Sequence, residues 1–202
     1  MNKKEERFFT LLTEDGELCY TGGQLLWKAI QTPDFREEAW QNIRTFRRGR
    51  EEQKCHVRGL LEHAWSGESL SAAKLLAEAV EKILTLEESL GGLLAAGNGK
   101  APEAAVTSME LVLLGLEELK KIFGYSRTLR EDYMKAEARH QKLSNYEERN
   151  SHVILSGLKA LYGGNDAMQA LFWKDGLERT GKILEASLEA ASLFQQLTED
   201  HL

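Results

Sequence analysis

Carboxylate pairs on helical segments are the residues of this chain that first suggest chemistry. Glu185 and Glu189 are four residues apart, so their side chains share one face of a predicted helix. Earlier in the chain, Glu147 and Asn150 interrupt the apolar stripe that begins at Leu143. Carboxylates from neighbouring helices can hold a cation through oxygen ligands. These residues therefore predict either a cation site or a polar band that needs hydrogen-bond partners.

Two other groupings contain residue types that bind metals. Cys55 and His56 would favour a softer ion such as zinc, but adjacent helical residues point about 100° apart. We therefore expect a partly buried Cys55 beside an exposed His56. Glu137 and His140 form one Glu-x-x-His motif, whereas a carboxylate-bridged di-iron bundle needs two such motifs and two further glutamates. A di-iron metalloenzyme or metal-storage bundle built on Glu137 and His140 is the competing hypothesis.

Several classes of function are disfavoured by composition and by missing motifs. The chain contains no Gly-x-Ser-x-Gly, no Gly-x-Gly-x-x-Gly and no Walker-type loop. Its formal net charge of −6 disfavours nonspecific binding of nucleic acid. A local basic cluster is interpreted as a solvated helix face; it comprises Arg44, Arg47, Arg48 and Arg50.

The expected location is the cytoplasm. No apolar run approaches the roughly 18 residues that span a membrane, and the charged residues 1–7 lack a signal-peptide apolar region. Cys19 and Cys55 do not make a disulfide framework, which is typical of a reducing compartment. Contact with a membrane, if any, is expected to be peripheral.

Hydrophobic periodicity places these residues on helices throughout. It predicts six helices, at about residues 5–30, 35–65, 69–95, 103–123, 127–162 and 167–198. Thr32-Pro33-Asp34 is a start signal for the second helix, and Ser66-Gly67 ends it. In the middle of that helix, Arg50 and Gln53 fall on the inward-facing line. The glycine-rich segment 96–102 is the clearest linker.

The predicted fold is all-α, an elongated six-helix bundle in two loosely repeated three-helix halves. The halves cover about residues 1–96 and 102–202, within one domain that spans residues 1–202. The fourth helix is the most apolar. A ligand-free structural dimer that buries Met109, Val112 and Leu116 across two chains is a further hypothesis.

The second half of the chain resembles the PhoU-like proteins known as Pit accessory proteins. In that family a Leu-Glu-x-x-x-Asp helix is followed by a short turn, a Trp-Lys-Glu segment and a helix with Leu-Glu-x-x-x-Asp-x-x-x-Asp. Here Tyr146-Glu147 through Ser151 stands at the first acidic pair, and Phe172-Trp173-Lys174-Asp175 stands at the Trp-Lys-Glu segment. The order of lengths and turns is kept better than the acidic residues are.

The resemblance implies both a site and a function. The family's acidic residues correspond to Glu51 with Cys55, Glu147 with Ser151, and Gly181 with Glu185 and Glu189. The resemblance thereby implies iron or zinc at Glu51, Glu147, Glu185 and Glu189. The affinity for the cation is expected to be lower than in the family, because most pairs have lost one carboxylate. The implied function is non-enzymatic: a regulator of phosphate transport that contacts a transporter or a signalling protein through its polar face. A homodimer is compatible with this function.

Overall fold

The computed structural model describes residues 3–97, 99–164 and 166–199, and these residues form an all-α bundle. Residue 98 of the predicted linker and residue 165 before the last helix lie outside the described residues. The α-helices are α1 (Lys3–Gln31), α2 (Arg36–Ala64), α3 (Gly67–Ala96), α4 (Glu103–Gly124), α5 (Leu129–Tyr162) and α6 (Ala167–Glu199). Each begins and ends within a few residues of its predicted bounds, so the expected all-α, six-helix bundle is confirmed.

Local turn signals account for the helix ends. Between α1 and α2, Pro33–Phe35 forms a short 3-10 turn in which the N–H of Phe35 donates to the carbonyl of Thr32. Between α2 and α3, Gly67 has a φ of +61°, in the left-handed region that side chains with a Cβ rarely adopt. Because these connections are short, the chain reverses its direction after α1 and after α2, and α1, α2 and α3 lie side by side.

The helices pack as two triangles joined side by side. Helices α1, α2 and α3 contact one another, as do α4, α5 and α6, and the halves meet through α1 on α4 and α3 on α6. Both joining pairs are antiparallel. Gly16 of α1 lies against Lys120 and Gly23 against Leu116, while on α3 and α6 Lys82 pairs with Glu189 and Ser89 with Arg179. Glycine at these positions lets α1 approach α4 closely, because a Cβ at Gly23 would collide with the Leu116 side chain.

An aromatic cluster closes one end of the core. Phe9 of α1 makes edge-to-face contacts with Trp65 at the end of α2 and with Phe194 of α6, at centroid distances of 6.0 and 6.1 Å. Phe194 in turn lies 5.5 Å from Phe123 of α4. Such pairs contribute about 0.5–1.5 kcal/mol each beyond the area they bury. The cluster therefore ties the two halves together.

Helix α4 lies inside the chain's own core. Met109, Val112 and Leu116 are fully buried among the helices of the same chain. They are not available to pair two chains, as the dimer hypothesis requires, unless the bundle opens. A dimer of the folded chain would have to use another surface.

None of the helices, over the residues that the structure describes, combines the length and apolar character needed to cross a membrane.

Candidate functional site

The acidic residues implied on α5 and α6 come partly together. Ser151 and Glu185, with Gly181, line a shallow groove between these helices. Glu147 lies one turn along α5 from Ser151, whose hydroxyl donates to its carboxylate at 3.2 Å. The antiparallel packing of α5 on α6 explains this arrangement, because it sets residues near 151 opposite residues near 185.

The two remaining implied ligands are held elsewhere. Glu189 Oε2 accepts from Lys82 Nζ of α3 at 3.1 Å, so its carboxylate is neutralised by a lysine. Glu51 is exposed on α2, where Lys54 Nζ lies 3.7 Å away. Within residues 3–97, 99–164 and 166–199, no three histidine, cysteine, aspartate or glutamate side chains are placed to share an ion. The four glutamates therefore do not form one set of ligands.

We accordingly expect little bound metal. Protein purified without a chelator should contain well below one equivalent of iron or zinc, because one or two exposed carboxylates bind transition metals weakly without further ligands. Elemental analysis measures this directly, with a Glu147→Ala, Glu185→Ala double variant as the matched control. Stoichiometric metal that disappears in the double variant would restore the implied site.

The other metal-binding groupings stand apart as well. Cys55 is exposed, which corrects the expectation that it would be partly buried, and His56 beside it is exposed as expected. His140 Nε2 lies 3.0 Å from the hydroxyl of Ser192 on α6, and burial lowers the pKa of this histidine. Glu137 is exposed. In the described part of the chain, nothing completes a di-iron site around this motif.

The polar residue that interrupts the α5 stripe has found partners. Asn150 is 1% exposed, and its Oδ1 accepts a hydrogen bond from Ser108 of α4 at 2.6 Å. The Ser108 hydroxyl also lies 2.6 Å from that of Thr180 on α6. This network joins the three helices of the second half, and it shows that Asn150 has a structural role.

Exposed apolar side chains flank the turn between α5 and α6. Leu155 and Tyr162 on α5 are 55% and 63% exposed, and Met168 and Leu171 on α6 are 77% and 56% exposed. Leu155 also lines the α5–α6 groove, and Tyr162 follows it two turns further along α5. We call these four residues the α5–α6 surface. Clustered exposed apolar side chains mark contact sites more often than isolated ones do.

The first half contains a buried ionic group that sequence reasoning missed. Arg50 Nε of α2 lies 2.7 Å from Asp15 Oδ1 of α1, and these side chains are only 10% and 6% exposed. Arg50 therefore departs from the solvated basic face on which it was placed, while Arg44 and Arg47 pair with Glu88 of α3. The inward position expected for Arg50 is correct, but Gln53, expected there too, is exposed.

Glu87 of α3 is a second buried carboxyl group of the first half, and it has no hydrogen-bond partner among the described residues. Its side chain is fully buried against Gly22 of α1, and neither carboxylate oxygen has a hydrogen-bond partner in the described residues. Burial raises the pKa of Glu87 well above its ordinary value. Burial also raises the pKa of Asp15 to about 6, although the charge of Arg50 acts in the opposite direction. Both carboxyl groups are costly to ionise in the folded protein.

Sequence signals for this cluster were weak. Glu87 lies three residues after Leu84 and seven before Leu94, near the apolar stripe of the third helix, and Arg50 was expected on the inward line of the second. Asp15 gave no signal, because it follows Glu14 in a stretch that is otherwise polar. A charged residue on an inward stripe signals burial, but its partner on another helix cannot be read from the same stripe.

Comparison with known proteins finds no relative that indicates a function. No protein-family model matches the chain, and no curated protein matches it. The site that combines exposure, apolar character and charge in the second half is the α5–α6 surface with its groove.

Proposed function

We propose that this chain is a non-enzymatic accessory protein that regulates phosphate transport by direct contact with a transporter, or with a signalling protein that controls one. The phosphate-transport setting comes from the resemblance of residues 146–189 to PhoU-like proteins. The two three-helix halves fit the architecture that this resemblance implies. Contact is favoured over chemistry because, among the described residues, the exposed groups of the second half form a surface and no group of three histidine, cysteine, aspartate or glutamate side chains converges there.

The observation that carries the proposal is the α5–α6 surface. Its four large apolar side chains are each more than half exposed on a folded chain. The adjoining groove adds charged side chains at its rim, among them Glu178, Lys182 and Glu185. An apolar centre with a charged border is the usual composition of a protein contact site. A partner that covered these side chains would remove them from water and would be selected by the charges around them.

Contact should depend on this surface and not on exposed apolar residues elsewhere. In a Leu155→Ser, Met168→Ser double variant, we expect a phosphate transporter to copurify at least about tenfold less well, because loss of two buried anchors costs more than about 1 kcal/mol each. Phosphate uptake by cells that lack the native chain should be restored by the wild type but not by this variant. Radiolabelled phosphate measures the uptake rate.

The matched control places the same change at other exposed positions. Leu75 on α3 and Met134 on α5 are 50% and 74% exposed, so Leu75→Ser, Met134→Ser repeats the chemistry outside the α5–α6 surface. The control should behave like the wild type. Equal loss in both double variants, or phosphate uptake that does not respond to removal of the chain, would rule the proposal out.

A further inference from the structure

Arg36 is the first residue of α2, and its side chain is buried at the end of the bundle where α1 and α3 end. It is 2% exposed. Its Nε donates to the carbonyl of Ala29 in the last turn of α1 at 3.2 Å. Its Nη1 and Nη2 donate to the carbonyls of Gly97 and Gly99, both at 2.9 Å, in the linker that follows α3. One side chain of α2 therefore joins the end of α1 to the connection between the two halves.

The Arg36 guanidinium contacts backbone carbonyls and, within the described part of the chain, no carboxylate. Ala29 and Gly97 lie at the carboxyl ends of α1 and α3, where free carbonyls and the helix dipole give a partial negative charge. These two helix ends therefore supply the negative charge that a buried arginine requires. Hydrogen bonds from a charged donor are roughly twice as strong as those between neutral groups, so Arg36 holds the linker firmly.

The linker also lies against the first two turns of α6. A Cβ on Gly97 would collide with the ring of Phe172, so the absence of a side chain at Gly97 lets this ring lie directly on the linker backbone. Gly99 has a φ of +97°, in the left-handed region, and a Cβ there would lie 3.7 Å from Nε2 of Gln169. The linker is thus held between Arg36 on one side and α6 on the other.

The same two turns of α6 carry half of the α5–α6 surface. Met168 and Leu171 alternate there with Gln169 and Phe172. Neighbouring residues of an α-helix point about 100° apart, so one side of these turns meets the linker while another side presents the exposed apolar side chains. The first turns of a helix open more readily than its middle. The position of Met168 and Leu171 therefore depends on what these turns pack against.

We propose that Arg36 is a positioning residue of the α5–α6 surface. By holding the linker against Phe172, it fixes the first two turns of α6 and with them Met168 and Leu171. The inference rests on the proposed function for the role of the surface, and on the contacts of Arg36 for its geometry. The first half of the bundle thus supports the contact surface of the second half. A partner then meets two apolar side chains already in place, which lowers the cost of ordering them on contact.

The first test measures amide hydrogen exchange of the full chain and needs no partner. In Arg36→Gln, a shorter side chain with a single donor nitrogen replaces the guanidinium, so it cannot serve both linker carbonyls. We expect the amides of residues 170–173 to exchange at least about tenfold faster, and trypsin to cleave faster after the exposed Lys100 of the linker. Arg36→Lys keeps the positive charge near the helix ends and should recover part of both effects.

Two further variants separate this local role from general stability. Ile43→Ala removes a fully buried side chain of α2 two turns from Arg36; it should lower the global stability without changing the exchange of residues 170–173. Gly97→Ala displaces the Phe172 ring and should accelerate this exchange with Arg36 intact, which keeps the test decisive even if Arg36→Gln does not fold. The inference is overturned if neither Gly97→Ala nor a folded Arg36 variant accelerates the exchange, or if Ile43→Ala accelerates it equally.

Copurification of a phosphate transporter then tests the link to contact. Arg36→Gln, at a temperature where it is fully folded, should reduce copurification at least about threefold. In a Phe172→Leu background it should add little, because both residues act through the same contacts. If Leu155→Ser, Met168→Ser abolishes copurification and Arg36→Gln leaves it unchanged, Arg36 does not position the surface. If the double variant has no effect, the proposed function fails, and the exchange of residues 170–173 still decides whether Arg36 fixes the start of α6.

Discussion

Replacing Arg50 with methionine is expected to lower the free energy of unfolding by about 2–3 kcal/mol at pH 8, because the buried Asp15 must then either stay ionised without its partner or take up a proton, which costs about 1.4 kcal/mol per pH unit above its pKa of about 6. Asp15 is 5% exposed, so water cannot take the place of the guanidinium. Chemical denaturation of wild type and variant at several pH values measures the effect. The loss should be much smaller at pH 5, where Asp15, with a pKa of about 6, is already mostly protonated in the folded wild type.

The direction of this pH dependence follows from the difference in the pKa of Asp15 between the folded and the unfolded chain. The pKa of Asp15 rises from 3.8 to about 6 on folding, so the folded chain binds the proton more tightly than the unfolded chain does. The stability that Asp15 contributes is present below pH 3.8 and is lost as the pH rises through about 6, a change of about 3 kcal/mol. Without Arg50, the pKa rises further and the loss continues to higher pH.

A second substitution at the partner provides the control. Asp15→Asn in the Arg50→Met background removes the buried charge and should recover most of the lost stability. Asp15→Asn alone should flatten the pH dependence between pH 4 and 6. Arg50→Met could instead destabilise the chain equally at pH 5 and pH 8, without relief by Asp15→Asn. That result would show that Arg50 acts through packing and not through its charge.

Replacing Glu87 is expected to stabilise the protein. Glu87→Leu removes a fully buried carboxyl group that has no hydrogen-bond partner in the described residues, and the expected gain is about 1–3 kcal/mol even where the group is neutral. Because burial raises the pKa of Glu87, its contribution to stability is greatest below pH 4.5 and is lost as the pH rises towards the folded pKa. The wild type should therefore lose about 1.4 kcal/mol per pH unit in this window through Glu87 alone.

Glutamine at this position separates ionisation from hydrogen bonding. Glu87→Gln keeps the shape and the polarity, so it should remove the pH dependence of Glu87 while retaining part of the cost of an unpaired polar group. Glu110→Gln, at an exposed position of α4, repeats the chemical change as a control and should leave the stability profile unchanged. If Glu87→Leu destabilises the chain at pH 8, then the carboxyl group has a partner in solution and the interpretation is wrong.

Asp15 and Glu87 are buried carboxyl groups, and both cost free energy in a core where an apolar side chain would not. Glu87 is buried against Gly22, and a Cβ on that glycine would collide with the carboxyl group. The first half of the bundle thus carries two carboxyl groups that favour protonation. The second half has the neutral network of Ser108, Asn150 and Thr180, and its buried Glu118 is paired with Arg139. We expect the first half to be the part of the bundle whose stability responds more strongly to pH.

Some residues of the α5–α6 groove could be named from the sequence. The resemblance placed Ser151, Gly181 and Glu185 at acidic positions of the family, and in the structure these three residues line one groove. Glu189 was placed with them, since it shares a helix face with Glu185. The structure pairs it with Lys82 of α3 instead, because α6 packs on α3 as well as on α5. Spacing along one helix defines a face, but the neighbouring helix determines what that face meets.

By itself the sequence determined the helices and their ends. Apolar periodicity, Pro33 after Thr32 and the glycine at Gly67 act within a few residues of the chain, and the observed bounds follow them closely. Only the tertiary structure decided that Arg50 meets Asp15 and that Glu87 meets no partner in the described residues. The physical reason is that electrostatic and packing energies depend on distances between helices, and those distances are set by all six helices together.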